Sequence, residues 1–248
     1  MASSPSDLRR FAEYGWDHGA SRWRDASTGR FVPPAKLREG VDALVDYTAD
    51  RLRTLGTQYA AGSISLADFQ SSLLQLIKSS QVASALVGYG GRESMTPARW
   101  GAVGQRVRVQ YGYARDFVQA VGSGAVPDGR IPWRAALYAN AAALTYESTL
   151  RREAKSRGQV QGRNVLHAKE SCDQCKAIAA AGWQPAGQIP PVGARTCGAR
   201  CRCTVEYRAA SALSVAAAEP LQFFNPHHDA RGRFAPGRWG TTHQPRSW

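Results

Sequence analysis

Residues 35–62 read AKLREGVDALVDYTADRLRTLGTQYAAG, and this run decides the fold class. Leu37, Val41, Leu44, Val45, Thr48, Leu52, Leu55 and Tyr59 recur at three- and four-residue spacing. That spacing lays one apolar stripe along a helix. Pro33-Pro34 precede the run and Gly62 closes it. Downstream, Ser65-Leu66-Ala67-Asp68 forms a capping box with Asp in place of Glu. It opens a second helix with Phe69, Leu73, Leu74, Ile77, Val82 and Leu86, stopping near Gly88-Tyr89-Gly90-Gly91. Thr96-Pro97 start a third helix that runs to about Val121. Its Gly101, Gly104 and Gly112 each cost about 1 kcal/mol against Ala and weaken its continuity. Ile131-Pro132 open a fourth, with Trp133, Leu137, Ala141, Leu144, Tyr146 and Leu150 as its apolar face and an end near Gly158. Residues 35–158 therefore predict a mainly α fold, an irregular antiparallel helical bundle with short glycine-containing loops.

The flanks differ in texture. Residues 1–34, rich in Ser, Gly, Arg and aromatics, read as an irregular N-terminal arm, and residues 209–248 as a mostly irregular C-terminal tail. Each holds one copy of a partial repeat. Asp25-Ala26-Ser27-Thr28-Gly29-Arg30-Phe31-Val32-Pro33 matches Asp229-Ala230-Arg231-Gly232-Arg233-Phe234-Ala235-Pro236. A tight turn presenting Arg with Phe suits an interface, so Arg30, Phe31, Arg233 and Phe234 are candidate docking residues. Residues 1–34 and 220–248 are expected to lack regular strands or helices and to order against partners. The alternative is that they fold back on their own core, with Trp16, Trp23 and Trp239 packing.

Residues 159–208 form a small α+β cysteine-rich module, with strands expected at Asn164–Ala168 and Cys203–Tyr207. The spacing is Cys172-x2-Cys175, twenty-one residues, then Cys197-x3-Cys201-x-Cys203. Two thiol clusters joined by a Gly/Pro-rich loop are a recipe for a tetrahedral structural zinc site. A module of about fifty residues buries little apolar surface and gains from a metal. Cys172 and Cys175 are the firmest ligands. Cys201 and Cys203, on one face of a strand by alternation, are the preferred second pair, with Cys197 able to replace either and His167 a sixth donor. Disulfides, an apo thiol cluster and redox chemistry are the competing readings. Disulfides need an oxidising compartment. A catalytic zinc would need an open position and a base, and four thiolates leave none open.

Composition bounds the rest. The chain has 248 residues, 43% apolar and 21% charged, the balance of a globular protein rather than a disordered one. No run approaches the ~18 apolar residues of a membrane span. The N-terminus carries Asp7, Arg9 and Arg10 without an apolar core, so no secretory signal is read. The expectation is a soluble protein, cytoplasmic when made. Net charge is +13, which predicts a polyanionic neighbour. Residues 151–203 hold ten bases and three acids, so Arg151, Arg152, Lys155, Arg157, Arg163, Arg195, Arg200 and Arg202 are candidate nucleic-acid contacts. A solvated helix face at Arg151, Arg152, Lys155 and Arg157 is the plainer alternative. No paired carboxylates and no phosphate loop stand in the helical region, so no enzyme is expected.

These residues suggest a family. Cys172-Asp173-Gln174-Cys175, Ala181-Gly182-Trp183-Gln184-Pro185, Pro190-Pro191, Cys197 and Cys201-Arg202-Cys203-Thr204 follow one another in the order seen in the C-terminal domain of tailed-bacteriophage minor head proteins. Residues 131–207 resemble that domain of the Mu F-like head morphogenesis family, the helix over Leu137 to Tyr146 included. The Asp229-to-Phe234 tail resembles Gly-Arg-Phe tails of phage structural proteins. The family often has His-Pro before Cys-Arg-Cys. Here Thr196-Cys197-Gly198 stands instead, so Cys197 would take the histidine's role and the fourth ligand stays open. The resemblance implies a non-enzymatic minor capsid component that assists head assembly and genome packaging or ejection. Its partners would be the portal protein, the major capsid protein and phage DNA without sequence preference, and no membrane. Its place would be the virion head near the portal vertex, after assembly in the host cytoplasm. A zinc-ribbon-type DNA-binding protein acting alone is the alternative, but no base-reading helix is visible. A metal-dependent nuclease would need histidines clustered with acids, and His18, His167, His227, His228 and His243 do not cluster so.

Overall fold

Capping residues set the helix ends. The computed structural model describes residues 13–167, 170–198 and 201–209. Its long helices are α1 (Pro34–Ala60), α2 (Leu66–Tyr89) and α3 (Pro97–Gly122), followed by α4 (Ile131–Ala136) and α5 (Asn140–Ser156). The Ser65 hydroxyl accepts from the Asp68 N–H at 3.1 Å and donates to Asp68 Oδ2 at 2.6 Å. Ser65 thus caps the helix as expected, with the Asp68 carboxylate taking the hydroxyl rather than the Ser65 backbone N–H of a full capping box. Thr96 Oγ1 accepts from the Arg99 N–H at 3.3 Å, with Pro97 in the first turn of α3. α3 runs unbroken through its three glycines.

The fourth helix expected from sequence is two helices. A 3-10 turn at Leu137–Ala139 separates α4 from α5. A 3-10 turn has three residues per revolution rather than 3.6, so the apolar phase shifts across it. α4 buries Ile131, Ala135 and Ala136, and α5 buries Ala141, Ala142, Ala143 and Tyr146. Trp133 and Leu137, expected inside, are 64% and 43% exposed.

The main core lies between α1, α2, α3 and α4. Leu52, Phe69, Leu73, Ile77 and Ile131 are fully buried there, each contributing about 1.5–3 kcal/mol by leaving water. The Phe117 ring meets Phe69 edge-on at 6.1 Å and ties α3 to α2. α2 and α5 approach so closely that a Cβ on Gly88 would fall 1.7 Å from Thr149 Oγ1.

Residues 14–25, expected to be irregular, form a hairpin of β1 (Tyr14–Asp17) and β2 (Arg22–Asp25). Aromatic burial overrides the Gly- and Ser-rich composition. Trp16 and Trp23 pair across the strands, ring centroids 5.4 Å apart. Trp23 is buried among Val32, Leu37, Val41, Val87 and Tyr146, and its Nε1 donates to the Val87 carbonyl at 2.9 Å. Gly90, at φ +88°, ends α2 and leaves room for the Trp16 ring, 2.2 Å from where a Cβ would stand. So Trp16 and Trp23 fold back on the chain's own core, the alternative expected for this arm. Residues 220–248 and Trp239 lie outside the described residues.

Beyond α5 comes a three-stranded antiparallel sheet in the order β4-β3-β5, with β3 at Gln161–Val165, β4 at Gln184–Pro185 and β5 at Thr204–Arg208. β3 begins three residues earlier than expected and β5 one residue later. Helix α6 (Asp173–Ala180) packs on β3. The protein is thus mainly helical, with a small sheet and a cysteine cluster. Among the described residues no helix is long and apolar enough to cross a membrane.

Candidate metal centre

The first turn of α6 carries the first thiol pair. Cys172 is the N-cap, with extended backbone, and Cys175 lies one turn on, 1% exposed. The C-x2-C spacing across a helix start turns both sulfurs to one side. The second cluster arrives from two places. Cys197 sits in the turn over 194–198, whose Thr196 N–H and hydroxyl both donate to Gln174 Oε1, at 2.7 and 2.8 Å. Gln174 thereby fastens that turn to the start of α6. Cys201 and Cys203 are both 2% exposed and precede β5 rather than lying along it.

All five thiols are unpaired by disulfide. The sulfurs of Cys172, Cys175 and Cys197 lie within 4.8 Å of one another, as do those of Cys175, Cys201 and Cys203. Cys175 Sγ is 3.6 Å from both Cys197 and Cys201. Four thiolates about a zinc at ~2.3 Å would stand ~3.8 Å apart, so the spacing fits a metal ion. Cys175 belongs to both groups and is the centre of the set. His167 is not drawn in, and its Nε2 lies 2.9 Å from Thr204 Oγ1.

Crowded thiols titrate in opposite directions. A hydrogen bond from Cys203 holds the Cys201 thiol down at about 4 against the opposing effect of burial. Burial pushes Cys197 up, and the contact with Cys201 pushes Cys203 up. Burial also works to raise Cys172, but the Cys175 backbone and neighbouring sulfurs overcome it and the pKa falls. Five close thiols cannot all ionise without a cation among them, and a bound divalent metal would release the remaining protons.

Arg195, expected to face nucleic acid, is instead 1% exposed beside the cluster. It donates Nη1 to Asn164 Oδ1 at 2.7 Å and Nε to the Pro190 carbonyl at 3.0 Å, and Nη1 lies 3.6 Å from Cys175 Sγ. Its charge offsets thiolate charge, which is the physical reason a guanidinium is kept there. Asn164 completes the support by donating to the Cys175 carbonyl at 3.1 Å.

The other expected contacts are scattered. Arg152, Lys155 and Arg157 are exposed at the end of α5, and Arg202 is exposed between two cysteines. Arg151 is half-buried and donates to the Ile189 carbonyl. Arg163 pairs with Glu206 at 2.6 Å and lies over the Trp183 ring. Arg200 lies outside the described residues, as do Arg233 and Phe234. Arg30 is exposed, but the guanidinium groups of Arg22 and Arg24 already lie over the Phe31 ring, at 4.3 and 4.1 Å from its centre.

Two residues that support the site went unread in the sequence. Arg38, 2% exposed on α1, donates to Asp42 at 2.8 Å, to Glu147 on α5 at 2.9 Å, and to the Cys201 carbonyl at 2.8 Å. It joins the helical body to the cysteine module. The one sequence signal was the Arg38/Asp42 i,i+4 pair beside the apolar stripe. No family model matches the chain, and neither a curated protein nor a solved structure matches it.

Proposed function

We propose that this chain is a minor structural protein of a tailed-phage head, with a zinc-stabilised module and no catalytic role. The observation that carries the reading is the cysteine run itself. The segment on which the resemblance rests gathers its thiols into one cluster, and that cluster is fixed to the helical body through Arg38. Cys172 and Cys175 would hold the ion with two of Cys197, Cys201 and Cys203. Zinc would serve there to fix the fold of the module. The helices, as an irregular antiparallel bundle, would dock on portal or capsid protein. Exposed Arg152, Lys155, Arg157 and Arg202 would meet phage DNA through its phosphates, without reading bases. Arg30, exposed at the base of its turn, and the Arg233-Phe234 tail would anchor to partner proteins.

Density-gradient purification of particles from a producing culture tests this. The chain should band with the capsid, in fewer copies than the major capsid protein. Its recovery in the soluble fraction alone, with particles free of it, would overturn the reading.

A further inference from the structure

A cleft of about 660 Å³ opens between α3, α5 and the cysteine module. Its charge is one-sided. Arg106 reaches it from α3, and Arg151, Arg152 and Lys155 from α5. The acids nearby are already engaged. Glu153 pairs with Arg99 at 2.5 Å and with Arg157 at 3.7 Å, and Glu147, in the lining, pairs with Arg38. Among the described residues Arg106, Arg152 and Lys155 have no carboxylate in ion-pair contact. Arg106 keeps solvent-exposed surface, and the protein packed around it and then the like charge of Arg152, against the opposing effect of Tyr89, lower its pKa from the ordinary value. Leu144 and Val192 add an apolar wall. A concave site with an apolar wall and convergent cations is the usual make-up of a site for a small anionic ligand.

We propose that this cleft binds the phosphate groups of a nucleotide, presented as a free nucleoside triphosphate or as the phosphorylated end of a single strand. The volume fits one nucleotide unit and excludes a duplex, which can meet only the rim. Arg106, Arg152 and Lys155 neutralise the phosphates, and the Leu144–Val192 wall takes the base. Arg151 is a wall-former: its bond to the Ile189 carbonyl joins α5 to the cysteine module. The inference rests on the reading above only in placing a nucleic acid beside this face.

Fluorescence anisotropy on the full chain tests it, with a short 3′-labelled oligothymidylate, 5′-phosphorylated or not, ATP as competitor, and a labelled duplex in parallel. The phosphorylated strand should bind at one site per chain and more tightly than the unphosphorylated one. Arg106→Gln and Lys155→Gln, each with an unchanged melting temperature, should weaken it about tenfold, the scale of one lost charge-assisted contact. Arg53→Gln and Lys78→Gln, exposed on α1 and α2 and outside the cleft lining, should leave it unchanged. Competition by ATP at equal strength identifies the free nucleotide as sufficient; binding of the strand with no effect of ATP identifies the strand end. Absence of binding by both probes, or wild-type binding by a folded Arg106→Gln protein, overturns the proposal. Duplex binding lost while nucleotide binding remains removes the DNA-contact reading and leaves the cleft standing.

Discussion

At the scale of single residues, Arg38 and Glu147 form the most deeply buried ion pair among the described residues. Both are nearly excluded from water, at 2% and 4% exposure, and 2.9 Å apart. Burial works against the charge on Arg38, but Asp42 and Glu147 outweigh it and its pKa rises. Burial raises Glu147 to about 7 despite the opposing effect of Arg38. The folded protein thus holds a proton on Glu147 that the unfolded chain releases near 4.5, so this residue's contribution to stability falls as pH rises from 4.5 to 7. Glu147→Gln removes that dependence. Relative to the wild type, the variant should gain about 3 kcal/mol across the interval, read from paired melting curves over pH. A constant difference between the two curves would count against the raised carboxyl. The thiols give a second test. Cys175 lies in both sulfur groups, so Cys175→Ser should abolish metal binding, while Cys172→Ser should reduce it, each with a lower melting temperature. Elemental analysis of freshly reduced wild-type protein should find one zinc per chain, and a metal-free result there would end the zinc reading. The cysteines were legible in the sequence because their spacing is local. Arg38 and Glu147 were not, because the fold joins positions 109 residues apart.

At the scale of elements, the glycines of α3 show where a sequence penalty is real but small. A Cβ on Gly101, Gly104 or Gly112 would meet nothing within 4 Å. Each Gly→Ala change should therefore stabilise the protein by about 0.5–1 kcal/mol, readable by denaturant unfolding. Gly88→Ala should do the reverse, because its Cβ would collide with Thr149. The hairpin marks the limit of compositional reading. A Gly- and Ser-rich segment looks irregular until its two tryptophans find a pocket made by α1, α2 and α5, and that pocket exists only in the folded chain. Trp23→Ala should then cost about 3–5 kcal/mol, as a buried aromatic does. An unaltered midpoint would show that the hairpin does not hold the core. The break between α4 and α5 was hidden for a different reason. The apolar residues on either side of Leu137–Ala139 fit one continuous helical period, and only packing of the two pieces decides that the chain shifts phase there.

At the scale of the whole molecule, charge was legible as a sum and not as a surface. The ten bases of residues 151–203 read as one face. Folding divides the eight within the described residues into a buried cation serving thiolates at Arg195, a half-buried one bonded to the Ile189 carbonyl at Arg151, two paired with acids at Arg163 and Lys176, and an exposed group at Arg152, Lys155, Arg157 and Arg202. Arg106, one of four arginines on α3, joins that group through the packing of α3 beside α5. This division sets what DNA binding should look like. Four exposed cations displace about four condensed counterions, so the logarithm of affinity for a duplex should fall against the logarithm of salt with a slope of about −3.6. Between 50 and 200 mM salt that is a loss of roughly a hundredfold. Arg157→Gln and Arg202→Gln should each make the slope shallower by about one, and Arg195→Gln should leave the slope alone while lowering the melting temperature. The same loss should hold for duplexes of unrelated sequence, because phosphate contacts carry no base information. Binding that prefers one sequence and persists at high salt would refute the phosphate-only contact and point to a regulator acting alone.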